Sequence, residues 1–176
     1  MVMQKFGIDK ALRLGILVLT VALVAVVAST LRERLVVAGD SAPSFSVTTD
    51  TGRKISTSDF GGKILVVNFW ATWCPPCISE LPSLNQMAAE VKGSGVVVLG
   101  ISVDKDKVAY DKFLKKVKLN FETSRDPAAD ISSEYGTFKY PETYVINRDG
   151  KVLEKFIADQ PWTDPAIIAR LKGYAR

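Results

Sequence analysis

The chain has 176 residues, with 23 Lys and Arg against 19 Asp and Glu, two cysteines and no histidine. Two cysteines without histidine exclude a four-ligand Cys/His zinc site, and Ser-His-Asp and cysteine-protease chemistry both lack their base. Residues 1–35 hold 5 Lys and Arg and 2 Asp and Glu, which leaves 18 against 17 in the remainder, so nothing electrostatic supports nucleic-acid binding.

Residues 14–31 (LGILVLTVALVAVVASTL) are uncharged and strongly apolar, close to the ~20 residues that a bilayer-crossing helix requires. Lys5, Lys10 and Arg13 precede the run with only Asp9 opposing them, which favours a cytoplasmic N-terminus, while Arg32 and Arg34 beyond it pull the other way. The expectation is an N-terminal transmembrane helix within 1–35 that anchors the rest outside the cytoplasmic membrane. Val26-Val27-Ala28 also makes a passable cleavage site, so a removed signal peptide and a soluble form are the alternative.

Residues 36–43 read as a linker, and 44–176 as one domain. Segments 45–48 and 54–56 flank Asp50-Thr51-Gly52 as a hairpin would. Residues 64–70 (ILVVNFW) form an almost unbroken apolar strand, the mark of burial on both faces. From 76 to 91, Ile78, Leu81, Leu84, Met87, Ala88 and Val91 recur at helical spacing, with Pro82 expected to kink the helix. Residues 96–102 (VVVLGIS) give a second buried strand, 104–117 a lysine-rich surface helix and 128–135 a shorter helix. Segments 143–147 and 152–157 flank Arg148-Asp149-Gly150 as a second hairpin, and 163–174 reads as a closing helix. Strands alternating with helices imply parallel pairing through right-handed crossovers, and the closing hairpin adds antiparallel strands. The fold class is α/β, a mixed sheet covered by helices on both faces, with an N-terminal hairpin.

Both cysteines lie in Trp73-Cys74-Pro75-Pro76-Cys77, between the first buried strand and the helix that follows. A helix start offers unpaired N–H groups and a positive dipole end, which favour thiolate over thiol. Cys74 is nearer that end, and a two-residue spacer lets Cys77 attack a mixed disulfide formed on it. Pro75 and Pro76 carry no N–H, so they remove two donors to the sulfur. A purely structural disulfide would close too short a loop to stabilise much. Ile78 after the motif excludes the Cys-x-x-Cys-His attachment site of a c-type haem.

Together with Ala42-Pro43-Ser44-Phe45, Val67-Asn68-Phe69-Trp70-Ala71-Thr72, Glu80-Leu81-Pro82 and Tyr140-Pro141-Glu142-Thr143-Tyr144-Val145-Ile146, the motif makes the chain resemble thioredoxin-fold proteins. More narrowly, it resembles the membrane-anchored extracytoplasmic reductases of the TlpA/ResA/CcmG group. The resemblance implies a thioredoxin-like sheet, with Cys74 as the exposed attacking sulfur and Cys77 as the buried resolving one. It also implies that Glu80, one turn beyond Cys77, tunes the thiols. A partly buried carboxylate there would resist ionisation and exchange protons with a thiol, and the alternative is a solvated helix residue. Asn68 stands where cytoplasmic thioredoxins carry a buried aspartate; an amide transfers no proton at neutral pH, which leaves that role to Glu80.

Pro141, at the start of a strand, matches the group's cis-proline facing the cysteines. Tyr140 before it, bulkier than the small residue common there, would offer its backbone to an extended substrate peptide. Glu142 follows as in some cytochrome-maturation members and would put a second carboxylate near the sulfurs, a surface role being the alternative. Trp73 would rim the site and keep water from the mixed disulfide. The function implied is reduction of disulfides in exported proteins such as apocytochrome c, with re-reduction by a membrane electron donor and no cofactor or metal beyond the Cys74–Cys77 pair. Alternatives are an oxidase or isomerase running the same chemistry the other way, or a module that holds copper between two thiolates. A peroxiredoxin fits less well, since its reactive cysteine does not normally sit in a Cys-x-x-Cys.

Overall fold

The computed structural model describes residues 2–30 and 35–176, with side chains from 12 to 27 in the first stretch. These stretches fall in two separate units, divided after residue 34.

The first unit is one helix, α1 (Val2–Thr30). Its described side chains are all exposed. Thr20, a polar residue among them, turns its hydroxyl back to the carbonyls of Ile16 and Leu17, at 3.0 and 2.8 Å, so it demands nothing of its surroundings. Among the described residues no helix is long and apolar enough to cross a membrane. The apolar run read from the sequence ends at Leu31, which lies outside the described residues.

The second unit is built around β3 (Ile64–Trp70), whose seven residues are all buried. It pairs in parallel with β4 (Val96–Ser102) on one side and antiparallel with β6 (Glu142–Ile146) on the other. β5 (Glu122–Arg125) adds parallel to β4, and β7 (Val152–Ile157) antiparallel to β6, for the order β5-β4-β3-β6-β7. Helix α2 (Pro75–Glu90) makes the crossover from β3 to β4. Alternation along β3 then decides each face. Leu65, Val67 and Phe69 pack with Tyr135 and Tyr144, while Ile64 and Val66 pack with Leu84 and Met87 of α2 and with Ile168 and Leu171 of α5 (Pro165–Tyr174). A fully buried leucine such as Leu84 contributes roughly 1.5–3 kcal/mol.

The sheet is the mixed, helix-covered one expected, and β1 (Ser46–Thr48) and β2 (Lys54–Ser56) form the expected hairpin. One strand was not expected. β5 reads Glu-Thr-Ser-Arg and has no apolar alternation, yet Thr123 and Ser124 are buried. Hydrogen bonds take the place of apolar packing: Trp70 Nε1 donates to Thr123 Oγ1 at 3.3 Å and Ser124 Oγ to the Thr48 carbonyl at 2.8 Å. The indole reaches Thr123 over Gly100, where a Cβ would stand 3.0 Å from both polar atoms.

The lysine-rich helix is shorter than its pattern: α3 (Lys107–Leu114) starts only after Asp106, whose carboxylate caps the amides of Val108 and Ala109. The helix expected over 128–135 is α4 (Asp130–Glu134). α2 runs unbroken through Pro82. Within 36–43, residues 39–42 lie beside 150–152 at the start of β7, with Gly39 N donating to Val152 O, Val152 N to Asp40 O, and Ala42 N to Gly150 O, and Val36 is buried with its N donating to Tyr135 O.

Candidate active site

β3 ends at Trp70, and the turn after it carries the cysteines into α2. The turn is pinned from the neighbouring strand. Asp104, two residues past β4 and buried, accepts from Thr72 N at 2.8 Å, from Thr72 Oγ1 at 2.6 Å and from Ser102 Oγ at 2.6 Å. Sequence reasoning passed over Asp104. Its signal was a charged residue following an apolar strand on the edge where the carboxyl ends of parallel strands gather.

Cys74 is the N-cap of α2, with Pro75 and Pro76 as its first two helical residues. Prolines are tolerated there because those N–H groups would lack helical partners anyway. Their absence leaves the Cys77 amide to donate to Cys74 Sγ, at 3.3 Å. Cys74 and Cys77 form a disulfide with Cα atoms 5.3 Å apart. Cys74 keeps 5% of its surface and Cys77 1%, so the sulfur read as exposed is only the less covered of the two in this oxidised form.

The segment before β6 closes over Cys74. The Tyr140–Pro141 peptide bond is cis, and the Tyr140 carbonyl oxygen lies 3.4 Å from Cys74 Sγ. The Tyr140 ring meets Trp73 edge to face, with centroids 6.1 Å apart. Trp73 is 62% exposed, as is Phe138 on the same segment as Tyr140. Phe138 did not stand out in the sequence, where one aromatic among polar loop residues carries no pattern. Pro141 O accepts from Ala158 N, which ties this segment to the loop after β7.

Below the cysteines, Glu80 is buried with 3% of its surface exposed. Its Oε1 accepts from Asn68 Nδ2 at 2.9 Å, and its Oε2 accepts from Trp162 Nε1 at 2.9 Å and from Gln160 N at 3.2 Å. Burial pushes the Glu80 carboxyl above the ordinary range, and the bonds from Trp162, Asn68 and Gln160 pull it partly back. Glu80 is therefore a desolvated acid with no cation beside it among the described residues. Asn68 also donates to Thr143 Oγ1 at 2.9 Å across the β3–β6 register. Trp162 and Gln160 had no signal in the sequence, because they reach Glu80 across some 80 positions.

Glu142 goes elsewhere. It shares a face of β6 with Tyr144 and Ile146, opposite Thr143 and the α2 side. There it pairs with Lys155 at 3.2 Å and accepts from the Tyr144 hydroxyl at 3.0 Å, with 1% of its surface exposed. Glu80 and Glu142 thus lie on opposite faces of the sheet, and burial of Glu142 rules out the surface role that was its alternative. Among the described residues no group of three or more His, Cys, Asp or Glu is placed to hold a metal ion.

A dithiol pair at a helix start, faced by a cis-proline, is an arrangement for thiol-disulfide exchange, and relatives share it in name. Residues 38–155 match the AhpC/TSA family. The chain is 36% identical over 122 residues to the thiol-disulfide oxidoreductase ResA of Bacillus thuringiensis subsp. konkukian, covering 69% of this chain and 70% of that one. It is 34% identical over 116 residues to the ResA of Bacillus subtilis, covering 66% and 65%. A crystal structure of a thiol:disulfide interchange protein DsbE from Chlorobium tepidum superposes with a TM-score of 0.73 at 31% identity, covering 80% of this chain and 99% of that one. The chain belongs to the AhpC/TSA family of thioredoxin fold, and within it to the ResA-like thiol-disulfide oxidoreductases.

Proposed function

We propose that this oxidoreductase works as a reductase held on the outer side of the cytoplasmic membrane by residues 1–35. It reduces disulfides of exported proteins, apocytochrome c among them, and is itself re-reduced by a membrane electron donor. The observation that carries the direction is the poor support for a thiolate at Cys74. One backbone N–H, from Cys77, reaches the sulfur, two prolines remove the next donors, and the Tyr140 carbonyl oxygen faces it at 3.4 Å. A dithiol whose reduced form is weakly stabilised gives up its electrons readily, the reverse of DsbA.

In the reaction, the Cys74 thiolate attacks one sulfur of the substrate disulfide and the other substrate sulfur leaves as thiolate. Cys77 then loses its proton toward Glu80, one helical turn away, and attacks Cys74. The Cys74–Cys77 disulfide forms as the second substrate thiolate leaves, so two electrons pass to the substrate. Trp73, Tyr140 and Phe138 give the partner chain an apolar rim, with the Tyr140 backbone available for strand addition.

The test uses the full-length, reduced chain with insulin and with a disulfide-bonded Cys-x-x-Cys-His peptide. Net reduction of both supports the reading. Oxidation of a reduced substrate in preference to reduction of an oxidised one would replace it with the oxidase alternative.

A further inference from the structure

Among the described residues, one buried side-chain polar atom lacks a hydrogen-bond partner, Asn68 Oδ1. It belongs to the residue that touches Glu80 Oε1. Most buried polar side-chain atoms are satisfied, so an orphan beside a titratable group points to a second state in which it is used.

We propose that Asn68 is a positioning residue for the thiol-disulfide reaction, whose amide turns over between the two protonation states of Glu80, donating to the carboxylate and accepting from the carboxylic acid.

The donor set leaves little choice. Oε2 of Glu80 is held by the indole N–H of Trp162 and the backbone N–H of Gln160, at 2.9 and 3.2 Å. Neither group can accept a proton or a hydrogen bond. A proton on Glu80 must therefore sit on Oε1, where the facing group is the Asn68 NH2 at 2.9 Å. As oriented, that would set donor against donor. A half-turn of the amide exchanges Nδ2 for Oδ1, which then accepts from the Oε1 hydroxyl; the turn gives up the two bonds of Nδ2, to Glu80 and Thr143, and moves the unpaired position from Oδ1 to the NH2.

Thr143 permits the same exchange. Its Oγ1 now accepts from Nδ2, and a hydroxyl can equally donate to Oδ1.

The other groups around Glu80 leave its proton to this pair. β3 and β6 contribute Asn68 and Thr143, which do not titrate; the loop after β7 contributes Asp159, whose negative charge favours the protonated form. α2 contributes Cys77, which titrates only once the disulfide is reduced. No Lys or Arg among the described residues pairs with Glu80. An aspartate at position 68 would compete for the proton; an asparagine accommodates it without taking it. The inference rests on the reading that Glu80 takes up a proton, and it adds the group that pairs with that proton.

The test is magnetic resonance on the full-length oxidised chain in detergent micelles, following the Glu80 carboxyl carbon and the Asn68 side-chain NH2 against pH. The two are expected to titrate with one midpoint, with cross-peaks from the NH2 protons to Glu80 and Thr143 present above it and lost below. A Glu80 titration that leaves those cross-peaks in place overturns the proposal, as does a Glu80 that takes up no proton before the chain unfolds. Two variants give an independent reading. Trp162→Phe removes a donor that serves only the carboxylate and should raise the proton affinity of Glu80 by about tenfold. Asn68→Leu removes a group that serves both states and should change it by less than about threefold. Equal increases would show that Asn68 only donates, and would overturn the proposal. No electron transfer is read here, so the outcome is separate from whether the chain acts as a reductase.

Discussion

Glu80 and Glu142 are both almost fully buried carboxylates beside the β3–β6 pair, on opposite faces, yet they are held in opposite ways. Glu142 has a countercharge, Lys155 at 3.2 Å, whose ammonium also lies 5.0 Å from the centre of the Tyr144 ring. Among the described residues Glu80 has three neutral N–H donors and no cation. An ion pair fixes a charge in place; neutral donors leave the proton free to come and go. Glu142 is thus a charge fixed behind the segment of Pro141, and Glu80 an acid held by neutral donors alone among the described residues.

The largest effects should fall on the Glu80 face, at the cysteines. Cys74→Ser should abolish reductase turnover and trap no substrate. Cys77→Ser should also stop turnover but accumulate mixed disulfides through Cys74, visible on non-reducing gels. Equal trapping by both variants would reverse the assigned roles.

On the other face the effect should be on stability. Lys155→Met leaves Glu142 buried without its cation and should cost about 3 kcal/mol in urea unfolding, with much of it recovered when Glu142→Gln is added. A single variant as stable as the parent would mean that the pair holds nothing.

Next in size is a pH effect that separates the two acids. The Glu80 carboxyl is raised by burial above its reference of 4.5, so the folded chain keeps this proton after the unfolded chain has lost it. Below the reference value both states are protonated and nothing is lost. As pH rises through the window above it, the folded state is penalised until Glu80 ionises there too. Relative to Glu80→Gln, the parent should therefore lose stability across that window, with a slope of at most about 1.4 kcal/mol per pH unit. In the reduced protein the same substitution should lower the apparent titration of the Cys74–Cys77 pair, because a negative charge is gone. Parallel stability profiles and an unmoved thiol titration would make Glu80 a spectator.

The smallest effects belong to the rim. Trp73→Ala or Phe138→Ala should raise KM for a protein substrate about fivefold, near 1 kcal/mol, and leave reaction with a small thiol unchanged. Equal changes for both substrates would mean that these rings shape the site rather than dock a partner.

What could be read from the sequence follows the range of the interactions. The apolar run of β3, the helical spacing of α2 and the Arg148-Asp149-Gly150 turn are local, and each predicted its element. β5 escaped because Thr123 and Ser124 are buried through hydrogen bonds to Trp70 and Thr48, which no periodicity records. The cysteines and Pro141 announce themselves by motif. The direction in which Glu142 points depends on strand register, where a shift of one residue exchanges the faces of the sheet. The partners of Glu80 come from β3 and from the loop after β7, so Glu80 and Asn68 could be named from sequence while Trp162 and Gln160 could not.

The reduction potential of the Cys74–Cys77 couple at neutral pH tests the central claim most directly. With one N–H on Cys74 Sγ and a carbonyl oxygen against it, the account predicts a value near thioredoxin's roughly −270 mV. A value near DsbA's roughly −120 mV would mean that the Cys74 thiolate is well stabilised and that the chain oxidises its substrates, contradicting the account.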